Sequence, residues 1–99
     1  MAKKKDKNHF RFNRITKHPT YIYAKDGNDY KFIGLTHAKI TQGTENIPLS
    51  KNPNPKDLRQ SYARPFSDRK PKATFGKRLK GWSLDEGDRA TMNAIRKKK

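Results

Sequence analysis

His18 precedes a proline, Thr36 and His37 stand side by side, and Ser61 opens a Ser61-Tyr62 pair. Imidazole titrates near neutral pH, so a histidine serves as general acid or general base without a large pKa shift. Hydroxyls donate to phosphate oxygens, and guanidinium groups such as Arg14 and Arg64 clamp them through parallel N–H bonds. Together these groups suit cleavage of an RNA phosphodiester. There the 2′-hydroxyl is the internal nucleophile, so the protein supplies a base, an acid and cations for the charge that builds at phosphorus. The first reading therefore takes His18 as acid/base, Thr36 and Ser61 as phosphate donors, and Arg14 and Arg64 as charge stabilisers. Carboxylates are scarce outside turns and the C-terminal stretch, which argues against a two-metal nuclease. The short signatures of phosphate loops, zinc peptidases and serine hydrolases are absent.

These residues need elements to carry them. Lys17–His37 (KHPTYIYAKDGNDYKFIGLTH) reads as a hairpin with a histidine near each open end. Tyr21-Ile22-Tyr23 is aromatic and β-branched, and Tyr30 to Leu35 alternate in period two. Asp26-Gly27-Asn28-Asp29 supplies residues that tolerate positive φ, so the turn falls there. Antiparallel pairing about that turn brings His18 toward Thr36 and His37.

Elsewhere the pattern is of short elements. His9–Thr16 alternates Phe10 and Phe12 with polar residues, as a first strand would. Ala38–Gly43 reads as a turn, and Asn46–Leu49 as an apolar edge element limited by Pro48. Ser50–Gln60 is a loop, with Pro53 and Pro55 blocking any ladder. Extended structure resumes at Ser61–Pro65, a basic turn is expected over Ser67–Lys72, and Ala73–Leu79 carries Phe75. Ser83 and Glu86 match a capping box, so a helix is expected over 83–96, resting on the sheet through Leu84, Met92 and Ile95. The predicted fold is mostly β with a C-terminal helix: a small barrel or rolled antiparallel sheet over 9–96, flanked by basic tails at 1–8 and 97–99.

The 99 residues carry 25 Lys+Arg against 9 Asp+Glu, a net charge of +16 that a polyanion would neutralise, nucleic acid first among them. Beside the catalytic set, Arg14, Lys17, His37, Tyr62, Arg69, Lys77 and Arg78 are the candidate nucleic-acid contacts. The chain lacks cysteine, which removes disulfides and thiolate zinc sites, and its three histidines lack a metal-ligand spacing. No metal or cofactor is expected. No apolar run approaches the roughly 20 residues of a membrane span, and the basic start lacks the apolar stretch of a signal peptide. A cytoplasmic protein is the expectation.

The order of elements resembles the type II toxin family of Kid, PemK and MazF over roughly 15–96. The matching pattern is Lys17-His18-Pro19-Thr20-Tyr21-Ile22, the strand end Ile33-Gly34-Leu35-Thr36, and the apolar Asn46–Leu49. It continues with Ser61-Tyr62 and with Gly76-Lys77-Arg78-Leu79-Lys80-Gly81 leading to Trp82-Ser83-Leu84. The resemblance implies an SH3-like barrel, usually a homodimer, that cleaves single-stranded RNA without metal and is neutralised by an acidic antitoxin segment. The family's arginine before the proline falls on His18, its threonine on Thr36 and its serine-led strand on Ser61, with Arg64 nearby. Histidine in place of arginine keeps proton transfer and loses the bidentate phosphate clamp. Two other readings fit the same composition. One is a non-catalytic nucleic-acid-binding module, and the other a phage or mobile-element interaction protein with an acidic protein partner.

Overall fold

The computed structural model describes residues 9–97. The basic segments read at 1–8 and after Lys97 lie outside the described residues. Eight strands, one 3-10 turn and one helix follow in order: β1 (His9–Asn13), β2 (Pro19–Asp26), β3 (Asp29–Thr36), β4 (Ile40–Thr41), β5 (Thr44–Glu45), β6 (Ile47–Pro48), β7 (Tyr62–Pro71), the turn Lys72–Thr74, β8 (Phe75–Arg78) and α1 (Glu86–Lys97). Six strands form one antiparallel sheet in the order β6-β7-β3-β2-β1-β8, and β4 and β5 form a separate two-stranded ribbon. The protein is therefore mostly β with one C-terminal helix, a rolled sheet whose two edges do not pair. Closure into a barrel fails at short edges: β6 is two residues long, and Pro48 has no N–H to give a further ladder.

The central hairpin forms where its turn chemistry puts it. Asp26 pairs with Asp29 across Gly27-Asn28, and Gly27 takes φ +61, a left-handed value that costs glycine nothing. Period two then sends Tyr21, Ile33 and Leu35 to one face of the sheet and Ile22 and Phe32 to the other. On the first face Phe10, Tyr21, Ile33, Leu35, Leu49 and Ala63 meet Met92 and Ile95 of α1. Met92 and Ile95 are fully buried, so each contributes roughly 2 kcal/mol of hydrophobic stabilisation. On the second face Phe75 meets Phe32 edge-on at 5.1 Å and Tyr30 at 5.4 Å. The 3-10 turn makes this possible by carrying the chain from the end of β7 to β8, beside β1.

Two elements differ from the sequence pattern. Ser67–Pro71 belongs to β7 because β3 supplies a ladder partner at each of these positions, from Ile33↔Ser67 to Asp29↔Pro71. Its charge reads as a turn, but tertiary pairing overrides composition. The helix begins at Glu86 because Asp85 caps it, accepting from the Gly87 N–H at 3.3 Å. Ser83 instead donates its N–H to the Pro53 carbonyl at 3.2 Å, tying the approach to the helix into the 50–60 loop.

Candidate functional site

Strand register brings the frame of the site together. Thr20 pairs with Gly34 near the open end of the hairpin, and Thr36 pairs with Tyr62, the neighbour of Ser61. His18, Thr36, His37 and Ser61 thus share one end of three adjacent strands. They line a cleft of about 350 Å³ together with Lys17, Asp57, Arg59 and Trp82. His18 is exposed, and Ser61 is buried. The Thr36 Oγ1 accepts the Ala38 N–H at 3.2 Å, which leaves its own O–H to donate.

The turn that presents His18 is built by Asn13, which is buried. Its Oδ1 accepts the N–H groups of Ile15 at 2.8 Å and Thr16 at 3.1 Å. Its carbonyl accepts Lys17 N–H at 2.7 Å, and its N–H donates to the His18 carbonyl at 2.9 Å. Lys17 is held at φ 64, a left-handed conformation that costs a non-glycine residue about 1 kcal/mol. That cost is met by the asparagine's bonds, and it turns the chain so that Lys17 and His18 reach the cleft together.

His37 has a partner that sequence reasoning missed. Its Nε2 lies 3.2 Å from Asp57 Oδ2, with the histidine side chain 41% exposed and the carboxylate 15%. Asp57 is in turn gripped by Arg59 through Nε at 3.0 Å and Nη2 at 2.8 Å, and by the Arg59 backbone N–H at 3.0 Å. The Arg59 side chain first, and its backbone N–H second, hold the Asp57 carboxyl well below the ordinary carboxylate range. A carboxylate behind an imidazole fixes the orientation of the ring. The loop that carries Asp57 is anchored far away. Asp88 of α1, itself buried, accepts from the Ser50 N–H at 2.8 Å, the Ser50 hydroxyl at 2.9 Å and the Lys51 N–H at 3.2 Å.

A second cleft, of about 400 Å³, opens on the other sheet face and shares His18 and Thr36 with the first. Arg64 lines it, with Phe32, Gly34, Phe66 and Lys70. Of the candidate residues, the structure groups His18, Thr36, His37, Ser61 and Lys17 in the first cleft and adds Arg64 through the second. It separates the rest. Arg69 sits at the hairpin tip, paired with Asp26 and with Asp29 at 3.1 Å. Lys77 and Arg78 lie on edge strand β8, Tyr62 faces a groove beside β6, and Arg14 lies exposed beyond β1. Asp57 and Asn46 escape the sequence as site residues because each acts through a partner distant along the chain, His37 and Arg64, and Asn13 because its partners are backbone groups of the next five residues. Among the described residues no three His, Cys, Asp or Glu side chains come together in a way that would hold a metal ion, and no helix is long and apolar enough to cross a membrane.

No protein-family model matches this chain, and no curated protein or solved structure matches it either.

Proposed function

We propose that the cleft at the open end of the β2–β3 hairpin cleaves single-stranded RNA by metal-independent acid–base catalysis. The observation that supports this most is the convergence of His18, His37, Thr36 and Ser61 on one cleft, with Asp57 behind His37. In this reading one imidazole takes the 2′-hydroxyl proton as that oxygen bonds to phosphorus. The bond from phosphorus to the 5′-oxygen breaks, and the second imidazole protonates the departing oxygen. The products are a 2′,3′-cyclic phosphate and a 5′-hydroxyl. Thr36 donates to a non-bridging oxygen, and Lys17 opposes the charge that builds there. The net charge of +16 raises the local concentration of the polyanion. A cytoplasmic setting goes with such a substrate, as does an acidic protein segment that competes for the same cations.

Incubation of the purified protein with a long single-stranded RNA, with and without EDTA, tests the reading beside His18→Ala and His37→Ala. Both histidines are exposed, so neither change should unfold the chain. Cleavage that survives EDTA and is lost in both variants supports it. Intact RNA that the wild type and both variants bind alike would replace the enzyme with a basic binding module.

A further inference from the structure

We infer that the second cleft is a nucleobase subsite, where a base of the bound strand stacks beside Phe66 and the Arg64 guanidinium. This rests on the cleavage reading for its location: His18 and Thr36 line both clefts, so a phosphate held at them places an adjoining nucleotide in this one. The floor suits a flat apolar ligand, being formed by Phe32 and by Gly34, which has no side chain to fill it. Phe66 is 46% exposed, and the Arg64 guanidinium carbon lies 4.8 Å from the centre of its ring. Aromatic rings and guanidinium planes are the two surfaces on which single-stranded bases stack.

The guanidinium is fixed in advance. Its Nη1 donates to Asn46 Oδ1 at 2.9 Å. Asn46 is itself buried, and its Nδ2 donates to the Ala38 carbonyl at 3.0 Å and to Thr41 Oγ1 at 2.8 Å. Arg64 thus keeps N–H donors for a phosphate or a base edge, and little side-chain freedom is lost on binding. Gly34 belongs to the same arrangement: a Cβ there would meet Arg64 Cγ at 3.3 Å, so the glycine lets the arginine stem lie across the sheet. A lone surface phenylalanine would need none of this support.

The probe is a fluorescein-labelled single-stranded oligonucleotide carrying 2′-O-methyl groups throughout, which binds and cannot be cleaved. Binding is read by anisotropy across a salt series, with RNA cleavage measured in parallel. Phe66→Ala removes no charge, so it should weaken binding about tenfold and leave the salt slope unchanged. Phe66→Tyr should bind as the wild type does. Arg64→Ala should weaken binding and lower the salt slope by about one. Wild-type affinity in Phe66→Ala overturns the subsite, whether or not RNA is cleaved, as does failure of the wild type to bind the probe at low salt. A tenfold loss in Phe66→Ala with no RNA cleavage by the wild type sustains the subsite and removes the cleavage reading alone.

Discussion

The two ends of the β2–β3 hairpin carry similar charge and use it differently. At the tip, Arg69 reaches Asp26 and Asp29, and the cation is spent on closing a turn. At the open end, Lys17, His18, Thr36 and His37 line a cleft in which Asp57 is the carboxylate, and that carboxylate is already taken by Arg59. A count of basic residues would rate both ends alike. What separates them is whether each cation has been neutralised inside the fold, and only at the open end do imidazoles and hydroxyls stand among cations that a phosphate would meet.

That contrast breaks if the wrong end matters. The largest effect is expected from His37→Ala, which should lower RNA cleavage by about 10² to 10⁴-fold, measured as the rate of cyclic-phosphate formation. Arg69→Ala in the same assay should cleave at the wild-type rate. Equal losses from both would dissolve the distinction between the ends.

Asp88→Ala tests the support under the open end. It strips a buried acceptor from three donors on Ser50 and Lys51, so urea unfolding should show a loss of about 3 kcal/mol. Asp57→Asn removes the charge that Arg59 and His37 meet, so it should lower stability by less than Asp88→Ala and slow cleavage at saturating RNA while leaving RNA binding unchanged. Acid sharpens the same point. The Asp57 carboxyl is held below its ordinary value by Arg59, so its contribution is fully present above about pH 4 and is lost as pH falls from there toward the lowered value. Between pH 5 and 8 the protection factors of the 50–60 loop amides, taken relative to the base-catalysed intrinsic rate at each pH, should therefore stay flat. The smallest effect is at the tip: the Arg69 pairs are half exposed, and Arg69→Ala should cost about 0.5 kcal/mol, read by thermal melting.

How much of this was legible follows from where the information sits. The hairpin turn and the apolar stripe of α1 are local patterns, and Asp26-Gly27-Asn28-Asp29 and the pair Met92 and Ile95 appear as such in the sequence, whereas Leu84 packs on the core from just ahead of the helix. Convergence of His18 with Thr36 also followed from the turn. The partnership of His37 with Asp57 spans a loop whose path depends on Asp88, further along the chain, and nothing in its own composition points there. Asn13 and Asn46 read as ordinary polar residues, because an asparagine's role as a buried bracket shows only once its backbone partners have positions. Ser67–Pro71 is the opposite case: its own charge speaks for a turn, and the neighbouring strand decides otherwise.

Trp82 is the single tryptophan of the chain. Its ring lies 5.7 Å from Phe10 in the core and 6.4 Å from exposed Phe12, and it lines the cleft with His18 and His37. All indole emission from this protein therefore comes from the boundary between its packed interior and its candidate site. One spectral band will report two separate events, a red shift when the core opens and a change in intensity when the cleft fills, with no dye attached and no residue replaced.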